Sequence, residues 1–208
     1  DARRYYTNIV GKYGPQVQAA LKKLGALDIQ IICPLHGPVW RSNIPYLLDK
    51  YQRWSTYTPE DQGVVILYGS MYGNTENAAN VLACALAEKG VKNIAVYDVS
   101  SAHVSQAIAE AFRVSHIVLA SPTYNGGLYP AMEHVLLDMK ALNLQNRTVA
   151  LIENGSWANT SAKQMRAILE TMKNITVMET SISVKSALRD DQLAQIEDLA
   201  GQIASEIL

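Results

Sequence analysis

The sequence has few cysteines and histidines and no long apolar run. Its 208 residues include 2 cysteines and 4 histidines. Cys33 and Cys84 lie far apart, without the short spacing of a metal site, which predicts two reduced thiols in a cytoplasmic protein. No stretch of about 18 or more apolar residues occurs, so we expect no membrane-spanning segment. Residues 1–6 show no apolar signal core either.

An excess of charge of one sign is also missing. The net charge is −1. Residues 1–62 carry eight basic and five acidic residues, a net charge of +3, and residues 63–208 carry ten and fourteen, a net charge of −4. Neither part has a basic stripe, so nucleic acid is not an expected partner.

Apolar runs and helix-patterned stretches alternate from Val64 onward. Continuous apolar strands separated by helices indicate a parallel sheet that is covered on both faces. This pattern predicts an α/β fold, a flavodoxin-like doubly wound five-stranded parallel sheet of order 2-1-3-4-5. The predicted strands are 64–69, 93–98, 115–120, 148–153 and 175–181, and the predicted helices are 75–89, 101–112, 130–140, 160–171 and a closing helix that ends near Ile207.

The chain before Val64 has a different pattern. A helix starts near Pro15, a short strand is predicted over 28–33, and a second helix runs through Trp54. These elements are too few to close a core of their own, so we expect the end of a larger domain. A polar stretch with proline and glycine indicates a boundary. The predicted organisation is a domain fragment at 1–57, a linker at 58–63 and a second domain at 64–208.

Three loops follow the first, third and fourth predicted strands, where ligands bind in such a sheet. The first loop joins a buried strand to a helix start, so it offers free backbone N–H groups and partial positive charge. No lysine follows, which excludes the lysine-bearing loop of nucleoside triphosphatases and favours a phosphate monoester. The predicted binding residues are Ser70, Met71, Tyr72, Gly73, Asn74 and Thr75.

The second and third loops each present an aromatic ring beside glycine and polar residues. Tyr124 and Trp157 suit the faces of a flat ring system, and nearby backbone groups suit its polar edge. A phosphate at one end and a flat heteroaromatic ring at the other is the shape of FMN. The predicted binding residues are Ser121, Pro122, Thr123, Tyr124, Asn125 and Gly126 in the second loop, and Asn154, Gly155, Ser156 and Trp157 in the third.

These three loop motifs together resemble the flavodoxin-like module of the flavodiiron proteins, also called A-type flavoproteins. Residues 2–10 and 33–41 resemble the end of that family's metallo-β-lactamase-like αββα domain. The resemblance covers essentially the whole chain. It implies the C-terminal portion of such a protein, in which a fragment of the first domain precedes the complete flavodoxin-like domain.

The resemblance also implies a function. Flavodiiron proteins pass electrons through FMN to a non-haem diiron site, which reduces nitric oxide to nitrous oxide or dioxygen to water. Rubredoxin or a flavin- or NADH-linked reductase is the implied donor, and a head-to-tail homodimer or a dimer of dimers the implied assembly. His36 matches the family's last histidine ligand. The other iron ligands are missing here, so no catalytic residue is expected within this chain, which we interpret as part of a longer protein.

Three alternatives stay open on the sequence. They are a stand-alone flavodoxin-type electron shuttle, an FMN-dependent NAD(P)H or quinone reductase, and a module whose FMN is structural. The residues decide neither between nitric oxide and dioxygen nor between electron donors.

Overall fold

A computed structural model describes residues 1–208. A helical N-terminal segment precedes an α/β unit that begins at β1. The strands are β1 (Asp61–Tyr68), β2 (Ile94–Asp98), β3 (Val114–Tyr124), β4 (Gly127–Leu128), β5 (Arg147–Asn154) and β6 (Ile175–Val184). The helices are α1 (Ala2–Tyr5), α2 (Gly14–Leu24), α3 (Ile44–Ser55), α4 (Asn74–Glu88), α5 (Val104–Arg113), α6 (Pro130–Ala141), α7 (Ser161–Leu169) and α8 (Leu193–Ile207).

The five long strands form one parallel sheet of order β2-β1-β3-β5-β6. The short β4 lies off this path and pairs antiparallel with the end of β3. The predicted doubly wound order is therefore confirmed, with β4 as an addition that the apolar pattern did not reveal. In such a sheet the crevice beyond the carboxyl ends of β1 and β3 is where the strand order reverses.

The sheet is buried on both faces, which explains its continuous apolar strands. Along β1, Val64 and Ile66 belong to one core with α4 and α8, whereas Val65 and Leu67 belong to the other with α5, α6 and α7. All four side chains are fully buried. Alternate residues of one strand thus anchor helices on opposite faces, and the carboxyl edge of the sheet is left for loops.

Several strands extend further than the apolar pattern predicted. β3 continues to Tyr124 rather than ending at 120, because its last residues pair with β4 across a hairpin. β6 continues to Val184, since its final residues pair with the end of β5 after a register shift. β1 also starts earlier, at Asp61, inside the stretch predicted as a linker. Hydrogen bonding to a neighbouring strand, rather than side-chain polarity, sets these ends.

The N-terminal segment consists of helices with irregular connections. α1 continues through a π-helical turn (Tyr6–Val10) and a 3-10 turn (Gly11–Tyr13) into α2, whose first turn contains Pro15 as predicted. The predicted strand over 28–33 is wrong. Only Ile32 pairs, with Trp40, in an isolated bridge, because no neighbouring strand is present to complete a ladder.

A buried arginine joins the N-terminal segment to the α/β unit. Arg147 is 2% exposed, and its guanidinium donates to five backbone carbonyls at 2.6–3.0 Å. One acceptor is Tyr57, at the end of the N-terminal segment, and two others, Ala111 and Phe112, lie at the end of α5. Burial lowers the pKa of Arg147 to about 9, so the guanidinium remains charged at neutral pH.

Cys33 and Cys84 are both free thiols on the surface. None of the helices combines the length and the apolar character that crossing a lipid bilayer requires.

Candidate functional site

A cleft of about 240 Å³ opens at the carboxyl edge of the sheet, around the start of α4. All three predicted loops contribute to its lining. The residues are Ser70, Met71, Tyr72, Asn74 and Thr75 from the first loop, Pro122 and Thr123 from the second, and Asn154, Gly155 and Ser156 from the third. Ser186 completes the lining. The structure therefore brings together stretches that lie about 30 to 80 residues apart along the chain.

The first loop offers hydroxyl and amide donors at a helix start. The Gly73 N–H donates to Ser70 Oγ at 3.1 Å, and Gly73 has a φ of 84°, a conformation that glycine adopts without strain. No atom lies within 4 Å of where a Cβ of Gly73 would stand, so space is open beside the loop. The first backbone N–H groups of α4 lack helical acceptors, as at any helix N-terminus. This is an anion-binding arrangement.

The second loop proves to be a tight hairpin. Asn125 and Gly126 have φ values of 48° and 73°, which matches the Asn-Gly turn that joins β3 to β4. The Gly126 carbonyl accepts hydrogen bonds from Thr160 Oγ1 at 3.1 Å and Gln164 Nε2 at 2.9 Å. The hairpin is thereby fixed to the start of α7 beside the cleft.

The third loop depends on a close backbone approach at Gly155. A Cβ there would lie 2.4 Å from Asn159 Oδ1 and 2.7 Å from the Ala158 carbonyl oxygen, so only glycine fits. Asn159 Nδ2 donates to Ser183 Oγ at 2.6 Å and to the Val184 carbonyl at 3.1 Å. The loop is therefore held against the end of β6.

Asn154 connects the third loop to the first. Its Nδ2 donates to Thr75 Oγ1 at 3.3 Å and to the Ser186 carbonyl at 2.8 Å. Asn154 and Thr75 are both buried, with exposed fractions of 5% and 2%. The Thr75 hydroxyl accepts this bond and donates none within the protein, which leaves one donor for a ligand.

Six predicted residues lie outside the cleft lining. Ser121 is fully buried, and its Oγ donates to the Pro122 carbonyl, so its side chain cannot reach a ligand. Tyr124 is partly exposed and packs edge-on against Tyr129, with ring centroids 6.5 Å apart. Trp157 is fully exposed. The remaining three are the turn residues Gly73, Asn125 and Gly126.

The donor chemistry of the cleft fits FMN. No charged side chain lines it, and the lining is mostly hydroxyl, amide and backbone groups, which suit a phosphate monoester. Glu76, in the first turn of α4, is exposed and does not line the cleft. The exposed ring of Tyr72 lines the cleft, and the exposed Trp157 directly follows the lining residue Ser156 along the chain. Such rings can cover the face of a flat ring system. Burial, and then the carboxylates of Glu76 and Asp98, raise the pKa of the neighbouring Tyr68, which therefore stays neutral.

Sequence reasoning missed Ser186. It lies in the short segment after β6, at the same sheet edge as the predicted loops. The switch-point rule directs attention to the loops after the first, third and fourth long strands, and nothing in the local sequence marks this serine. Only the pairing of β6 with β5 brings it to the cleft.

His36 lies outside this cleft, in the N-terminal segment. It is exposed, it stacks on Tyr5 with ring centroids 4.9 Å apart, and it lines a separate apolar cavity of about 580 Å³. No group of three or more His, Cys, Asp or Glu side chains converges to hold a metal ion. The residues of this chain therefore do not by themselves fit a diiron centre.

Comparisons with known proteins identify the family of the chain and its relatives. The family model described as Flavodoxin matches residues 66–205. Among curated relatives, the chain is 29% identical over 206 residues to the rubredoxin-oxygen oxidoreductase of Megalodesulfovibrio gigas, covering 97% of this chain and 50% of the relative. It is 25% identical over 212 residues to the nitric oxide reductase of Moorella thermoacetica, covering 100% of this chain and 52% of the relative.

Solved structures give the same correspondence. The rubredoxin oxygen:oxidoreductase of Desulfovibrio gigas superposes with a TM-score of 0.86 at 28% identity, over 99% of this chain and 51% of that one. The flavodiiron protein of Giardia intestinalis gives a TM-score of 0.90 at 22% identity, over 99% and 51%, and supports the fold. The chain thus spans about half the length of the relatives it matches. It belongs to the flavodoxin family, within the flavodiiron proteins.

Proposed function

We propose that this chain is the FMN-binding, electron-transferring part of a flavodiiron oxidoreductase. In the intact protein, electrons pass on to a non-haem diiron site that reduces nitric oxide to nitrous oxide, dioxygen to water, or both. The names of the relatives from Megalodesulfovibrio gigas and Moorella thermoacetica support this assignment. The observation that carries it is the uncharged, donor-rich cleft at the carboxyl edge of the sheet.

The chain's own residues bind and orient the cofactor. Ser70, Asn74 and Thr75, with the N–H groups at the start of α4, hold the phosphate end. Tyr124 and Trp157 lie on loops that flank the ring end, where aromatic faces exclude water from one side of a flat ligand. When bound, FMN supplies the reversible transfer of one or two electrons.

The proposal is tested by titrating the purified protein with FMN and with riboflavin, monitored by flavin fluorescence. We expect one FMN per chain and clearly weaker binding of riboflavin, because riboflavin lacks the phosphate that the first loop is proposed to hold. Protein that takes up neither flavin would refute the proposal. Equal affinity for FMN and riboflavin would show that the cleft does not bind the phosphate.

Residues 1–57 are proposed as the C-terminal piece of the metallo-β-lactamase-like diiron domain, with His36 as its iron ligand. Their open apolar cavity, and a segment around Ile32 that forms one isolated bridge and no strand ladder, support this interpretation. In the intact protein, His36→Ala lowers iron content and leaves flavin content unchanged. The matched control is His134→Ala, since His134 is an exposed histidine of α6. Normal iron content in His36→Ala would show that His36 is not an iron ligand.

Partners follow from the same proposal. Rubredoxin or a flavin- or NADH-linked reductase is the proposed donor, and a head-to-tail homodimer is the proposed assembly that brings FMN close to iron. Iron near two per chain in the full-length protein supports the flavodiiron function. FMN without iron in that protein favours a flavodoxin-type shuttle instead.

A further inference from the structure

Ser186 lies in the segment 185–189, between β6 and α8, and lines the cleft beside the predicted loops. Its backbone has a φ of 63°. This left-handed region is uncommon for residues other than glycine, asparagine and aspartate. Such conformations persist where surrounding contacts impose them, and they concentrate at functional sites. The strain at Ser186 therefore calls for a cause in its contacts.

Two side chains of the cleft hold Ser186 in this conformation. Asn154 Nδ2 donates to the Ser186 carbonyl at 2.8 Å, and the same amide donates to Thr75 Oγ1 at 3.3 Å. Ser156 Oγ lies 2.8 Å from Ser186 Oγ, within hydrogen-bond distance. Ser186 is thus bonded to Asn154 and Ser156 of the third loop, and only through Asn154 is it linked to Thr75 at the start of α4.

The paired hydroxyls of Ser156 and Ser186 leave one donor unused. Either oxygen can be the donor of this bond. When Ser156 donates to Ser186, the Ser186 proton has no acceptor in the protein. No carboxylate lines the cleft to take that proton. Both serines are exposed, so water accepts that proton in the free protein, and a ligand oxygen that enters the cleft can take the place of this water. An anionic oxygen is the acceptor that binds most strongly to such a donor.

We propose that Ser186 donates a hydrogen bond to the phosphate of bound FMN, so that segment 185–189 forms a fourth wall of the cleft. This role rests on the proposed function. It makes Ser186 a residue that helps the cleft to select phosphorylated over unphosphorylated flavin, because riboflavin offers no anionic oxygen at this end.

The test compares the affinities of wild type, Ser186→Ala and Ser186→Gly for FMN and for riboflavin. A hydrogen bond to a charged group is lost with the hydroxyl, so we expect FMN binding at least about tenfold weaker in both variants. Riboflavin binding stays within about twofold of wild type. The matched control is Ser205→Ala, since Ser205 is an exposed serine whose hydroxyl bonds only within α8.

The glycine variant separates the hydroxyl from the conformation of the loop. Glycine adopts positive φ without strain, so Ser186→Gly unfolds at a temperature no lower than wild type, although its FMN affinity falls. Unchanged FMN affinity, or an equal loss for FMN and riboflavin, would overturn the role of Ser186 alone. Wild-type protein that binds no FMN would overturn the proposed function, and this role with it.

Discussion

At the scale of single residues, the cleft relies on neutral donors in fixed positions. Ser70 and Thr75 hydroxyls each accept one hydrogen bond from the protein, so their own protons remain available to a ligand. Asn154 fixes Thr75 from the opposite loop. An anion held by such groups is sensitive to any added negative charge, because no cation lines the cleft to offset it.

Asn74→Asp adds that charge at the first residue of α4. We expect FMN affinity to fall at least about tenfold, since two unit charges about 4 Å apart near a protein surface repel by roughly 4 kcal/mol. Riboflavin affinity changes little. Folding stability is kept, because an acidic residue is favourable at a helix N-terminus. Fluorescence titration measures the affinities, and Asn80→Asp, an exposed asparagine later in α4, is the control. Unchanged FMN affinity in Asn74→Asp would show that the first loop does not bind the phosphate.

Trp157→Ala tests the ring end of the site. The Trp157 side chain is fully exposed, so its removal leaves the free energy of unfolding within about 0.5 kcal/mol of wild type. We expect FMN binding weaker by about 1 kcal/mol and a shifted flavin midpoint potential, because ring contact is lost. Fluorescence titration measures the FMN affinity, and spectroelectrochemistry measures the midpoint potential. Leu35→Ala, which removes an equally exposed side chain from the N-terminal segment, is the control. A variant with neither effect would place Trp157 outside the site.

At the scale of elements, strand ends decide where the site residues stand. The periodic apolar pattern predicts the strands and helices of the α/β unit close to where they lie. It does not reveal that β3 continues through Tyr124 into a hairpin or that β6 reaches Val184. Both extensions depend on pairing with a neighbouring strand, and local periodicity carries no information about that pairing. The absent strand at 28–33 has the same cause, since Ile32 has only Trp40 to pair with.

Gly155→Ala tests the third loop as an element. The added Cβ would lie 2.4 Å from Asn159 Oδ1 and 2.7 Å from a backbone oxygen, so the loop must shift. We expect a loss of about 1–3 kcal/mol in the free energy of unfolding and weaker FMN binding. The control is Gly201→Ala in α8, where only a lysine methylene lies 4.0 Å away, and which we expect to stabilise the protein by about 0.5–1 kcal/mol. Urea unfolding measures the free energy of unfolding, and fluorescence titration measures the FMN affinity. A Gly155→Ala protein as stable as wild type would contradict the close backbone approach at Gly155.

At the scale of the whole molecule, buried polar groups join the N-terminal segment to the α/β unit. The Glu60 side chain is 2% exposed and accepts hydrogen bonds from Arg3 Nη2 at 3.2 Å and from Trp54 Nε1, while Lys50 Nζ lies 2.9 Å away. Burial alone would raise the pKa of the Glu60 carboxyl, but hydrogen bonds from Arg3, Lys50 and Trp54 lower it to about 2. The ionised carboxylate therefore stabilises the folded state.

The pH dependence of stability follows from that shift. The folded pKa is below the ordinary value of 4.5, so the unfolded chain binds the proton first as the pH falls. The stabilisation is complete above pH 4.5 and is lost between about pH 4.5 and 2, by on the order of 3 kcal/mol. Urea unfolding at several pH values measures this change in the free energy of unfolding.

In Glu60→Gln we expect this part of the pH dependence to vanish, with lower stability than wild type at neutral pH. Glu197→Gln, on a half-exposed carboxylate paired with Lys89, is the control and keeps the wild-type slope. The same slope in Glu60→Gln as in wild type would show that the Glu60 cluster does not set acid stability.

The amino-acid sequence alone determined the long strands and helices of the α/β unit, the order of its parallel sheet and the three loops that line the cleft. Each is encoded locally, by apolar periodicity and by small polar residues at strand ends. The tertiary structure alone decided that Ser186 reaches the cleft, that Arg147 is buried among carbonyls and that residues 28–33 form no strand. Those outcomes depend on hydrogen-bond partners distant in sequence, and only the folded chain brings such partners within reach.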